Sequence, residues 1–374
     1  MSILKGRQAR AGLTASLLAL GLPLTMASVA LSDPGPTLSP QESANYLRST
    51  DGGDDFDPQS IDNVGLGVGQ VTQVEAEDGT VHALFGTNND DDDFAFPFEL
   101  YHRRSTDGGE EFDAGRRLDD DTGISSEPSL ATTGPDVHVA FEENRLAFGL
   151  DTNGDGVDPD DEFPEEVFYT RSTDEGETFS TAVNLSQTVN AQETDNDTAA
   201  LGDRVGVVYE SNQIDPDDFD PPAPTITAEE ATTARDIVIR VSDDRGANFA
   251  DDINLTFDGT TAPPFELDDT SGQGQDQPKV ALNDDVVLVV FRIESADELT
   301  YRIGYVRSTD GGANFGGIMV LPSAVNTDDL PSLYMDGDDA QVFACDVNNQ
   351  LLQWRSGDAG ATFGAAEVVH TGSE

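Results

Sequence analysis

Residues 151–162 read Asp-Thr-Asn-Gly-Asp-Gly-Val-Asp-Pro-Asp-Asp-Glu. A hard divalent cation takes about six to eight oxygen ligands, and a twelve-residue loop delivers them from positions one, three, five, seven and twelve around a sharp glycine turn at six. Asp151, Asn153, Asp155, the Val157 carbonyl and Glu162 stand at those positions, with Gly156 at the turn, and are candidate Ca2+ ligands. The flanks do not read as a helix pair and position eight is Asp158, so the loop is expected alone, grafted onto another architecture. A solvated acidic loop is the alternative. Two further acidic stretches, 88–93 and 214–220, lack a glycine-turned ligand spacing and read as solvated charge.

The elements that carry this loop repeat. Six octapeptides share Ser at position one, Asp at three, Gly at five and Phe at eight: STDGGDDF from Ser49, STDGGEEF from Ser105, STDEGETF from Ser172, SDDRGANF from Ser242, STDGGANF from Ser308 and SGDAGATF from Ser356. Ser and Asp side chains bond nearby backbone amides, Gly accepts positive φ, and Phe anchors the returning strand, so each octapeptide reads as a self-fastened hairpin turn. Between them lie β-rich apolar runs: VHALF from Val81, VHVAF from Val137, VGVVY from Val205, VVLVVF from Val286 and AQVFAC from Ala340. Octapeptide to next run is 32 or 33 residues in four cases and 44 in one, whereas run to next octapeptide varies from 16 to 37.

Radial repetition of short-stranded sheets explains such a pattern, and a β-propeller of four-stranded blades A to D satisfies it. The apolar runs are then strand B and the octapeptides the C–D turns. Antiparallel order puts A–B and C–D turns on one face and all the long B–C and D–A loops on the other. With six turns but five strand-B runs, the first blade is incomplete. It is completed by residues 33–40, by strand exchange at ring closure or by another molecule. Closure within a monomer is the preferred reading, and oligomers through strand completion are the alternative.

The octapeptides resemble the Asp boxes, or BNR repeats, of the sialidase superfamily, over roughly residues 43–370. That resemblance implies an all-β, six-bladed propeller with the boxes on the face opposite the active site. It does not imply activity, because such boxes recur in hydrolases, receptors and assembly factors. Sialidases bind a sugar carboxylate through three arginines, use a glutamate-activated tyrosine as nucleophile and an aspartate as acid/base. Their first arginine lies in a Tyr/Phe-Arg-Ile-Pro motif that is absent here; Phe291-Arg292-Ile293-Glu294 only echoes it. Strand-B ends on the loop-rich face offer Glu143, Arg145, Tyr209, Glu210, Arg292 and Glu294, joined by Arg235 and Arg302 at the starts of C strands. Arg145, Tyr209, Glu210, Arg292 and Arg302 are the candidate catalytic residues, although each arginine is equally explained by pairing with a neighbouring carboxylate.

Composition bounds the rest. With 73 acidic against 19 basic residues among 374 and a formal charge of -54, the surface repels phosphate backbones and excludes nucleic acid as a partner. The single cysteine, Cys345, excludes a disulfide scaffold and reads as a small buried hydrophobe, and the four histidines are too scattered for a zinc site. Lys5, Arg7 and Arg10 precede an apolar stretch ending in Ser28-Val29-Ala30, as in a secretory signal. The expected organisation is therefore a signal peptide at 1–30, a linker at 31–42 and the propeller at 43–374. The chain is expected to be secreted or periplasmic, with a surface suited to high salt. Its loop-rich face would recognise a glycan or cell-surface protein with calcium bound, or, alternatively, act as an exo-acting glycoside hydrolase of sialidase type.

Overall fold

A computed structural model describes residues 28–29, 45–48, 57–60, 67–77, 79–88, 98–119, 124–144, 165–187, 193–211, 235–256, 275–294, 301–322 and 330–371. These form six antiparallel sheets, one of three strands and five of four. The first holds β1 (Ser28–Val29), β2 (Asn45–Arg48) and β3 (Asp57–Ser60). The second holds β4 (Gly67–Glu77), β5 (Thr80–Asn88), β6 (Phe98–Ser105) and β7 (Arg116–Arg117). The third holds β8 (Ile124–Thr133), β9 (Asp136–Asn144), β10 (Glu166–Ser172) and β11 (Val183–Asn184). The fourth holds β12 (Glu193–Leu201), β13 (Arg204–Ser211), β14 (Asp236–Ser242) and β15 (Ile253–Asn254). The fifth holds β16 (Gln275–Leu282), β17 (Val287–Glu294), β18 (Tyr301–Ser308) and β19 (Met319–Val320). The sixth holds β20 (Ser332–Asp336), β21 (Asp339–Cys345), β22 (Gln350–Ser356) and β23 (Glu367–Thr371).

Each four-stranded sheet is a meander in chain order, and the first strands touch in succession: β4 with β8, β8 with β12, β12 with β16 and β16 with β20. This is a propeller-like all-β arrangement with β4, β8, β12, β16 and β20 along its inner edge. The apolar runs form the second strand of each sheet, as their spacing predicts, because strands buried on both faces need continuous apolar sequence. Cores lie between sheets. Phe141, Val139 and Leu130 of the third sheet meet Leu84 and Leu100 of the second, and Val208 and Ile239 of the fourth meet Val289 and Phe291 of the fifth. In the first sheet β1 pairs with β2 where the other sheets place their second strand, Ser28 opposite Leu47 and Val29 opposite Tyr46. It lies inside the stretch whose sequence reads as a signal; residues 30–44 fall outside the described residues.

The five octapeptides from Ser105 onward join third to fourth strands and fasten themselves; the first, 49–56, lies outside the described residues. In residues 172–179 Ser172 Oγ donates to Asp174 Oδ1 at 2.7 Å and accepts from Gly176 N at 2.9 Å, while Asp174 accepts Thr178 N at 2.8 Å and Thr178 Oγ1 at 2.6 Å. The same set recurs at Ser242, Ser308 and Ser356. These bonds to the ionised form hold Asp174, Asp244, Asp310 and Asp358 down at about 2. Each turn also donates to the hairpin joining its sheet's first two strands, as from Glu175 N to Pro135 O at 2.8 Å and from Gly311 N to Asp285 O at 2.9 Å. Both kinds of turn therefore share a face, and the strand ends from which the long connections depart lie on the other.

Candidate active site on the inner edge

On the loop-side face, the inner strands β8, β12 and β16 each carry a bulge, with register shifts between Ser126 and Ser129, Thr194 and Asp197, and Asp276 and Lys279. The bulged residues are Glu127 at φ 42°, Asp195 at 55° and Gln277 at 55°. A bulge bends its strand and re-aims a side chain, so three successive inner strands present polar groups at equivalent points. The ends of the second strands supply their supports. Glu142, only 3% exposed, accepts the Asp195 N–H, and Glu210, fully buried, accepts the Gln277 N–H at 2.5 Å. Counted from the residue paired with each octapeptide serine, Glu142, Glu210 and Arg292 occupy one repeat position.

Asp195 lies at the centre. Its Oδ1 accepts from Gln277 Nε2 at 2.5 Å, and its Oδ2 is 3.9 Å from Arg235 Nη1. Glu127 and Glu210 lie close enough for its charge to act on both. Arg235 Nη1 donates to Glu210 Oε2 at 2.6 Å. Alongside, Arg292 grips Asp276 in a fork, Nε to Oδ1 at 2.7 Å and Nη2 to Oδ2 at 2.5 Å, with its guanidinium 4.1 Å from the Tyr301 ring centroid. These geometries match the bidentate and cation–π preferences of arginine.

Carboxyl groups crowded in this way keep protons that isolated ones lose. Burial, then the charge of Asp195, pushes the coupled Glu210 up to about 9 despite Arg235. Burial, then Glu127, holds Glu142 well above the usual range. Glu127 differs in being exposed to solvent while hemmed in by protein; that desolvation, then Asp195 and Glu165, raises it to about 7. A solvent-accessible carboxyl poised near neutrality can give and take protons at working pH.

Of the residues singled out by sequence, Glu210, Arg235 and Arg292 come together here. Tyr209 does not share their side of β13: it packs with Tyr169 and Val207 against the third sheet, whereas Val208 and Glu210 face the fifth. The Tyr209 phenol and Glu210 carboxyl are thus on opposite faces of one strand. Arg302 pairs across with Ile293 and Arg292 with Ile303, so those arginines also sit on opposite faces of their sheet. Arg145 and the loop carrying Asp151, Asn153, Asp155, Val157 and Glu162 lie outside the described residues. Among the described residues no group of three or more His, Cys, Asp and Glu is arranged to hold a metal ion. Cys345 is partly exposed rather than buried, at the end of β21.

Sequence reasoning missed Glu127, Asp195, Asp276 and Gln277. A signal existed: Ser126-Glu127-Pro128-Ser129, Thr194-Asp195-Asn196-Asp197 and Asp276-Gln277-Pro278-Lys279 are one repeat, but too polar to read as inner strands.

No family model matches the sequence, and no curated protein matches it significantly. Among solved structures the chain is similar to a polysaccharide lyase of family PL25, an ulvan lyase bound to -[GlcA(1-4)Rha3S]-, with TM-score 0.58 and 11% identity over 92% of this chain and 80% of that one. It is also similar to the Trypanosoma rangeli sialidase in complex with DANA, with TM-score 0.47 and 9% identity over 81% and 48%, and to the NanB sialidase of Streptococcus pneumoniae, with TM-score 0.45 and 10% identity over 77% and 58%. The likeness to the lyase defines the class: an all-β, propeller-like fold shared with a glycan-acting enzyme. No helix among the described residues is long and apolar enough to cross a membrane.

Proposed function

We propose that the chain is a glycan-cleaving enzyme, a glycoside hydrolase on a six-bladed Asp-box propeller closed within one chain, with its active site in the inner-edge cluster. The observation that carries the reading is the convergence of bulged positions Glu127, Asp195 and Gln277 on successive inner strands, with Glu127 the exposed residue among them. Glycosidic cleavage needs a carboxylic acid to protonate the leaving oxygen and a second carboxylate to attack or to activate water. Glu127 is the proton donor. Glu165, half-buried and close enough to repel it, is the second carboxylate. Tyr301 lies under the Arg292 guanidinium, and Arg235 is bonded to Glu210. Both arginines are committed to carboxylates, so this geometry supports carboxyl-pair chemistry better than capture of a sialic acid by an arginine triad. The likeness to a glycan-acting enzyme supports the substrate class.

The test is turnover. The purified chain is offered a panel of fluorogenic glycosides, sialosides included, and acidic polysaccharides, with reducing ends and unsaturated uronates both monitored. Hydrolysis is expected, falling at least about 100-fold in Glu127→Gln, as for loss of a general acid. Absence of turnover on every substrate, or full activity in that variant, overturns the assignment; unsaturated products would make it a lyase instead.

A second reading rests on the all-oxygen donor set of Asp151, Asn153, Asp155, Val157 and Glu162, whose chemistry fits Ca2+. In it the secreted or periplasmic propeller is a calcium-bound module that recognises a glycan or a surface protein without turning it over. Calcium would then hold a B–C loop in place at the rim of the same face. Isothermal calorimetry on chelator-treated protein is expected to show Ca2+ binding that Asp155→Asn weakens, and no heat would remove calcium from the reading.

A further inference from the structure

Asp195 touches three sheets at one point. Its backbone N–H is held by Glu142 from the third sheet, and its carboxylate by Gln277 from the fifth. It belongs to the fourth, where Glu210 lies behind it, and its charge acts on Glu127 of the third. Its side chain is 19% exposed, so solvent reaches it only in part. It also adopts φ 55°, a conformation that aspartate and asparagine tolerate and branched residues do not. Neighbouring side chains brace the hub. Asn196 Nδ2 donates to the Glu127 carbonyl at 2.8 Å, and Ser129 Oγ to Asn196 Oδ1 at 2.7 Å, so the bulges of β8 and β12 are tied directly to each other.

We propose that Asp195 is the positioning residue of this site: held by Glu142 and Gln277, and with its strand tied to the Glu127 backbone through Asn196, it fixes its carboxylate beside Glu127 and so sets the place of that side chain. The inference rests on the catalytic reading above for its consequence, but not for its geometry. Glu210, buried and held by Arg235 and Gln277, has no route to a substrate. Its part is to crowd Asp195 from behind, which leaves Glu127 as the exposed residue of the cluster. Of the groups around Glu127, Asp195, Glu165 and Glu142 bear negative charge when ionised, and Arg235 faces Asp195 from the start of β14. Removing the charge of Asp195 while keeping its shape therefore releases Glu127 toward ordinary carboxylate behaviour.

The experiment is a carboxyl titration of the full chain by 13C NMR, in wild type, Glu127→Gln and Asp195→Asn. Asparagine keeps positive φ, and its carbonyl oxygen can still accept from Gln277. In wild type one glutamate is expected to titrate near neutrality, and Glu127→Gln is expected to abolish that transition. Asp195→Asn is expected to move it down by roughly one pH unit or more. An unchanged midpoint in Asp195→Asn overturns the proposal. So does a wild type in which no carboxyl titrates above the usual range, a result that needs no variant to fold. If glycan turnover is found, the alkaline limb of kcat/KM should move with the same midpoint while KM stays within about twofold. If the titration behaves as expected and no glycan is cleaved, the positioning role stands and the hydrolase reading falls.

Discussion

Glu127, Asp195 and Gln277 occupy one backbone position in three successive sheets but differ in charge, and that difference makes the inner edge chemical rather than merely structural. Glu127 and the supporting Glu210 are raised because desolvation and like charge both disfavour ionisation, and Gln277 supplies an amide donor where a third carboxylate would repel Asp195. The neighbouring ion pair bears on substitution. Arg292 is 13% and Asp276 25% exposed, so truncating one partner strands the other in a poorly solvated place. Arg292→Ala is expected to cost about 1–3 kcal/mol in urea unfolding, below the figure for a fully buried pair because solvent screens part of the charge. The Arg292→Leu/Asp276→Leu double variant is expected to recover most of that loss. A single variant as stable as wild type would show that solvent already satisfies Asp276.

The octapeptide turns do two jobs at the scale of the element. They close the third strand onto the fourth, and they brace the preceding sheet. A methyl at Gly246 would fall 1.9 Å from Tyr169 Oη and one at Gly312 2.8 Å from Val241, both across a sheet boundary, and both glycines have positive φ. Phe249 likewise packs edge-on against Tyr169, and Phe363 against Tyr305. Arginines just before the turns reach across too: Arg104 donates to Glu175 O at 2.9 Å and Arg307 to Ala359 O at 2.7 Å. Gly312→Ala is expected to destabilise by about 2 kcal/mol or more, from strain and overpacking together, read from the urea midpoint. Gly79→Ala, at φ 87° against 94° for Gly312 but with nothing within 4 Å, should cost less. If the two variants are equal, sheet contact is not what the turn glycine serves.

Three buried histidines sit at these same boundaries. His82 Nδ1 and His102 Nε2 are 3.0 Å apart, and His138 Nδ1 is 2.6 Å from Tyr169 Oη. Burial holds His82 and His138 down at about 4 and His102 at about 3, with Arg104 adding to it for His82 and His102. Their depressed values mean that the unfolded chain binds more protons below its usual histidine range. Stability from them is full above about 6.5 and lost as pH falls toward 4. Glu127 works in the opposite sense: raised to about 7, it favours the folded form most when protonated, and that contribution declines as pH rises from 4 to 7. The turn aspartates, depressed to about 2, contribute above the ordinary aspartate range and lose that contribution as pH falls toward 2. Melting temperature is therefore expected to vary little between pH 5 and 7, where the histidine losses oppose the gains at the raised Glu127, Glu142 and Glu210, and to drop below 4, where the turn contributions are lost. A steady rise in stability on acidification below 4 would contradict this assignment of charges.

The whole molecule carries a formal charge of -54, and only part of it is spent in turns and at the inner edge. Excess surface carboxylates repel one another over distances that salt shortens to about 3 Å at molar ionic strength. Melting temperature is expected to rise between low and molar NaCl, and an unchanged value would show that self-repulsion is not limiting. Ring closure within one chain predicts a monomeric mass in light scattering; a concentration-dependent dimer would favour completion of the three-stranded first sheet by another copy.

The periodic features were legible without coordinates because they depend on local chemistry: a Ser-x-Asp-x-Gly turn bonds to itself, and a strand buried on both faces must be apolar throughout. The boxes, the second strands, the two faces and the all-β class all follow from that. Glu210, Arg235 and Arg292 were within reach for the same reason, as ends of recognisable strands. Asp195 was not, since its importance comes from Glu142, Gln277 and Glu127, each from a different sheet, and from a bulge whose polar sequence hides the strand. Alternation also separates Tyr209 from Glu210, which sequence places side by side. Repetition along the chain determined the elements; convergence across sheets, which no linear spacing records, decided which carboxyl groups crowd together.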